Sequence, residues 1–160
     1  VLGGSACGST PDVARPLVSE IRGAVEALEK KYGSDLDYFE ISADLVGVTL
    51  ILAESEVDNA GEVLGLFATT YRWESGDLTT DGETLPAEGA TFRSSAIDLE
   101  PENLFKRIDA ELSTPVIVDV AIQGTGTGST VIDATVVNEK GGTLLVLLSG
   151  DGRILGVQAS

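Results

Sequence analysis

Between residues 115 and 157 the chain keeps a period of two residues, interrupted only by glycine-rich breaks, and few folds other than an antiparallel sheet accept that pattern. Val116, Val118, Val120 and Ile122 alternate with Ile117, Asp119, Ala121 and Gln123, so the first set is expected to face a core. After Gly124-Thr125-Gly126-Thr127-Gly128-Ser129, the residues Ile132, Ala134 and Val136 share a face opposite Asp133 and Thr135. Glu139-Lys140-Gly141-Gly142 reads as a hairpin turn, because paired glycines accept the positive φ that tight hairpins need. Residues 143–148 are apolar on both faces, and Asp151-Gly152 turns the chain into a last strand. The sequence predicts a meander.

Upstream, Leu17, Ile21, Ala24, Val25 and Leu28 recur at spacings of three and four, which predicts an amphipathic helix over 16–32 that Gly33 stops. The period then changes. Phe39, Ile41 and Ala43 are expected on one side of a strand and Tyr38, Glu40 and Ser42 on the other. Residues 47–53 predict a central apolar strand, and 63–73 a strand with Phe67, Tyr71 and Trp73 on one face. With Asp81-Gly82, Pro86 and several acids, 79–89 reads as an exposed connector. A strand over 91–99 leads to Glu100-Pro101-Glu102, where proline and acids open a second helix with the apolar stripe Leu104, Phe105, Ile108 and Leu112. Phe105, Val118, Val120, Ile132 and Val136 are expected to meet in one core.

Side-chain inventory bounds the chemistry. There are 26 acidic and 10 basic side chains, a formal charge of −16, and no histidine. Such a surface repels nucleic acid and anionic headgroups, since phosphate binding depends on Lys and Arg displacing counterions. Without histidine the usual general base and nucleophile activator are missing, and a single cysteine excludes an intrachain disulfide and Cys/His zinc sites. No cofactor or metal is implied. Gly124-x-Gly126-x-Gly128 lacks the following helix of a dinucleotide site and reads as a hairpin link. No stretch approaches the roughly 20 apolar residues of a membrane-spanning helix.

The first residues, Val1-Leu2-Gly3-Gly4-Ser5-Ala6-Cys7, run from apolar to small and end in the only cysteine, before a Gly8-Ser9-Thr10-Pro11 spacer. This run resembles the end of a bacterial lipoprotein signal peptide, with Ser5 and Ala6 at the small positions and Cys7 at the lipidated one; Gly4 departs from the aliphatic residue preferred there. The resemblance implies that Cys7 is diacylated, that 1–12 are a signal remnant and tether, and that the protein is anchored outside the cytoplasm or secreted. Val1 in place of methionine fits a trimmed or processed chain.

A helix followed by strands occurs twice, and Ser-Gly-Asp stands at 75–77 and again at 149–151. The expected fold is α+β: two helix-plus-antiparallel-meander units, 13–88 and 89–160, in one domain with the helices packed on one face of the sheet. This element order resembles the tandem units of beta-lactamase inhibitory protein and PepSY-type modules, which implies a secreted or membrane-attached bacterial protein.

Three functions are open at this stage. The leading one is a non-enzymatic envelope lipoprotein, a binding or inhibitory module for a protein or envelope ligand, with Tyr71 and Trp73 as candidate contacts because clustered aromatics anchor partners. A second is a carboxylate-based hydrolase or transferase using Glu54, Glu56 and Asp58, whose spacing of two would align three carboxylates on an extended strand. The third is a structural envelope subunit.

Overall fold

The computed structural model describes residues 13–138 and 140–159. After a 3-10 turn at Val18–Glu20 come α1 (Ile21–Tyr32) and the strands β1 (Asp37–Asp44), β2 (Val48–Val57), β3 (Val63–Glu74) and β4 (Asp77–Ala87). A two-residue β5 (Phe92–Arg93) and a 3-10 turn at Ser94–Ala96 precede α2 (Pro101–Glu111). The chain then closes with β6 (Val116–Gly124), β7 (Thr130–Val137), β8 (Thr143–Ser149) and β9 (Ile154–Ala159). The strands lie in the order β4-β3-β2-β1-β6-β7-β8-β9, and β5 pairs β1 beyond the end of β6.

This architecture corrects the expected pair of helix-plus-meander units. Strands occupy about half of the described residues and the two short helices, with their 3-10 turns, about a fifth. β1 and β6 pair directly from Glu40↔Gln123 to Asp44↔Asp119, so the strands form one continuous nine-stranded antiparallel sheet. The physical reason lies in the central strands. Each would otherwise expose a row of unpaired backbone groups, and pairing them removes two edges at once.

Helix α1 forms where the apolar spacing predicts it: Ile21, Ala24, Val25 and Leu28 are all buried. Gly33 ends it at φ 117°, a left-handed geometry that favours glycine, and its N–H donates to the Glu29 carbonyl at 2.8 Å. Pro101 opens α2, and Leu104 and Ile108 bury its stripe. Side chains from both helices join those of one sheet face in a single core: Ile41, Val48, Leu50, Val120, Ile132, Val136 and Leu148 are all within it.

The expected alternation fails in β1 and in β6 for the same reason. In β1 the register moves from Tyr38↔Leu52 to Glu40↔Ile51, so Phe39 is an extra residue, and in β6 it moves from Ile117↔Val136 to Asp119↔Thr135, so Val118 is extra. Each bulge inverts the parity of what precedes it. Tyr38 and Ile117 therefore enter the core while Phe39 and Val118 stay half-buried, against the expectation. Val120, Ile132 and Val136 are buried as expected, and Phe105 packs at the core's margin with Arg15 stacked on its ring at 4.9 Å.

Two further segments differ. The stretch read as a connector is β4, an edge strand exposed along almost its whole length, where acids and Pro86 are tolerated because its outer backbone groups face solvent. The strand read over 91–99 shrinks to β5 and a 3-10 turn. In the β7–β8 hairpin the amides of Lys140 and Gly142 donate to Asn138 Oδ1, both at 2.9 Å, and Gly141 takes φ 79°; Glu139 lies outside the described residues.

The Tyr38 ring is fully buried against Phe92, 6.1 Å between centroids, yet its hydroxyl finds no hydrogen-bond partner among the described residues. Leaving such a group unpaired costs about 1–3 kcal/mol, so Tyr38→Phe is expected to hold or raise stability by about 1 kcal/mol in denaturant melts. A loss as large as that of a core truncation would show that the hydroxyl is satisfied.

Candidate binding surface

Because the helices cover one face of the sheet, every second residue of the central strands points to the other. Cross-strand register fixes which side chains meet there. Ala43 and Val120 pair within the core, which puts Asp44↔Asp119, Ser42↔Ala121 and Ala121↔Asp133 on the open face, beside Glu40↔Gln123. Ser42 pairs Thr49 and Thr49 pairs Arg72, extending the same row into β3. The centre of this face thus carries Glu40, Asp44, Asp119 and Asp133, with Arg72 at one end.

Their electrostatics divide into two groups. Arg72 bonds Asp44 at 2.9 Å, Glu74 at 2.8 Å and Thr49 Oγ1 at 2.9 Å. Together with the Val46 and Gly47 amides, at 2.7 and 2.9 Å, this guanidinium lowers the Asp44 carboxyl to about 2. Gln123 Nε2 donates to Glu40 Oε2 at 2.9 Å. Asp119 and Asp133 are half-buried, make no ion pair with a described residue, and are pushed up, first by burial and then by Glu40, with Asp44 adding to the effect on Asp119.

The signs of pH dependence follow. Asp44, depressed, contributes stability that is present above 3.8 and lost as pH falls towards about 2. Asp119, raised, does the reverse: ionised, it opposes folding, and the penalty is relieved as pH falls through its raised value towards 3.8. Asp119→Asn is therefore expected to be more stable than the wild type at pH 7, with the gap closing on acidification. Urea melts across pH would check this, and a variant less stable at neutral pH would contradict it.

The other sequence candidates fall elsewhere. Tyr71 is 5% exposed on the helix-facing side, its ring edge-on to Tyr32 at 5.6 Å between centroids. Trp73 is half-buried beside α1, its indole N–H 3.4 Å from Glu20 Oε2, with Gly23 leaving room for the ring. Their position gives both a packing role between β3 and α1.

Glu54, Glu56 and Asp58 do not assemble. Glu54 and Glu56 are exposed, Glu54 accepts from Thr69 Oγ1 at 2.9 Å, and Asp58 Oδ1 accepts from the Ala60 and Glu62 amides, both at 2.8 Å, which closes the β2–β3 turn. Two clefts, of about 420 and 340 Å³, are lined by none of the three. Among the described residues no group of three or more Cys, Asp or Glu is arranged to hold a metal ion. Cys7 lies outside the described residues.

The acids of the open face carried a sequence signal, the polar phase of β6 and β7. That they converge with Glu40 and Asp44 was not readable, because it depends on β1 pairing β6, strands separated by the 71 residues 45–115, and local periodicity carries no information on such a pairing.

No protein-family model, no curated protein and no solved structure matches this chain. No described helix is long and apolar enough to cross a membrane.

Proposed function

We propose that the protein is a binding or inhibitory module of the bacterial cell envelope, tethered through a lipidated Cys7, and that its open sheet face takes a protein partner presenting Lys or Arg side chains. The observation that supports this reading is the pair Asp119 and Asp133, half-buried at the centre of an uncovered face and without an ion-pair partner among the described residues. Carboxylates held this way oppose folding while they wait, and a cation delivered by a partner would reverse the sign of that contribution. The net charge of −16 adds long-range attraction for the same kind of partner. Half-buried Ile51, Val131 and Leu145 on the same face supply apolar contact around the acids. The tether rests on Ser5, Ala6 and Cys7 alone.

Affinity capture from the native envelope tests the reading, with wild type compared against Asp119→Lys/Asp133→Lys. A partner held by the wild type, released by salt and lost with the double variant supports it. A partner that binds both proteins equally contradicts it. Mass spectrometry of the protein made from its precursor reports on the tether, where an unmodified Cys7 would remove it.

A further inference from the structure

The cleft of about 420 Å³ lies on the helix side, between α1 and the approach to α2, away from the open sheet face. Apolar side chains stand on both of its walls, Val18, Ile21 and Val25 on one side and Ile97, Leu99 and Pro101 on the other, with Ser19 and Ser94 adding hydroxyls to the lining. Two opposite charges also line it, Arg22 from α1 and Glu100 from the residue before α2. Both side chains are exposed, and neither makes an ion pair or side-chain hydrogen bond with the other or with any described residue. In a chain with so few cations, most described arginines are engaged: Arg15, Arg72 and Arg93 hold carboxylates and Arg107 holds the Asp151 carbonyl. Arg22 thus lines the cleft with no ion-pair partner among the described residues, and the second element contributes an acid, Glu100, that has none among them either.

We propose that this cleft binds a small zwitterion with an apolar body, an apolar α-amino acid, with its carboxylate on Arg22, its ammonium on Glu100 and its side chain between the apolar residues of the two walls. The volume is at the small end of ligand sites and exceeds what one amino acid needs, so the largest apolar side chains are admitted. Charge complementarity selects the class. A fatty carboxylate would satisfy Arg22 and be repelled by Glu100, and an apolar amine would do the opposite.

Isothermal titration calorimetry of the full chain with L-phenylalanine, 3-phenylpropionate and phenethylamine tests the assignment. Phenylalanine is expected to bind saturably, with each singly charged analogue about tenfold or more weaker, one ion pair's worth of affinity. Arg22→Gln should weaken phenylalanine by about tenfold and tighten phenethylamine, which loses a like charge, and Glu100→Gln should show the mirror pattern with 3-phenylpropionate. Both side chains are exposed, so neither change threatens folding. No saturable binding of phenylalanine at about 10 mM, 3-phenylpropionate binding as tightly as phenylalanine, or an Arg22→Gln variant with unaltered affinity would each overturn the proposal. The result is independent of partner capture, since Arg22 and Glu100 stand on the opposite side of the sheet from Asp119 and Asp133.

Discussion

Ile132→Ala is expected to lower stability by about 2–5 kcal/mol. Ile132 is fully buried on β7, between its cross-strand partners Ile122 and Leu148, which are themselves 1% and 0% exposed. Its truncation removes apolar contact on both sides. Strands hydrogen-bonded to neighbours on either edge cannot close over the resulting space, so a cavity term adds to the lost transfer energy. Val131, one residue earlier, faces the open side and is half-buried, and Val131→Ala is expected to cost about 1 kcal/mol or less. Urea melts of the two variants check the contrast. Equal losses would mean that the face opposite the helices is as buried as the core.

Gly47→Ala is the second large effect, and it acts through backbone rather than through a cavity. A Cβ at this position would lie 2.3 Å from the Trp73 carbonyl oxygen and 2.7 Å from Glu74 Cγ. Trp73 is the direct partner of Val48, so the obstruction sits where β2 and β3 close together and relief requires the strands to part. Gly47 also donates to Asp44 Oδ1, and Asp44 in turn holds Arg72. Parting the strands therefore loosens the Arg72–Asp44–Glu74 group on the open face. A cost of about 1–3 kcal/mol or more is expected, with the acid sensitivity contributed by Asp44 reduced at the same time. Thermal melts at pH 7 and below pH 4 would check both parts, and a variant as stable as wild type would show that the β2–β3 end is mobile enough to yield.

Period-two patterning in β3 and β7 was legible because those strands keep parity over long stretches, as at Ile132, Ala134 and Val136, whereas β2 and β8 were legible as apolar runs. Parity is also where the reading stopped. A strand's face is assigned by counting, and the single extra residues at Phe39 and Val118 shift the count without changing composition. Strand β4 was hidden for another reason. Exposed on both sides, it has no buried phase to display, and its acids, Gly82 and Pro86 read like a loop. Joining the strands into one sheet depends on β1 meeting β6, a pairing between separate halves of the chain that local pattern cannot contain. For the same reason Asp119 and Asp133 were visible as polar positions while their convergence with Glu40 and Asp44 was not. Tyr71 and Trp73 were placed correctly relative to each other, but only the contact with α1 tells which face they share.

Carboxyl footprinting of the protein, free and mixed with whatever partner the proposed affinity capture yields, tests the central claim most directly. Water-soluble carbodiimide labels accessible carboxylates, and mass spectrometry reads each site. The account predicts that Asp119 and Asp133 are labelled in the free protein and protected in the complex, while exposed Glu26 on α1 is labelled equally in both. Protection of Glu26 and Glu102, with Asp119 and Asp133 still labelled, would contradict it and move the interface to the helix side of the sheet.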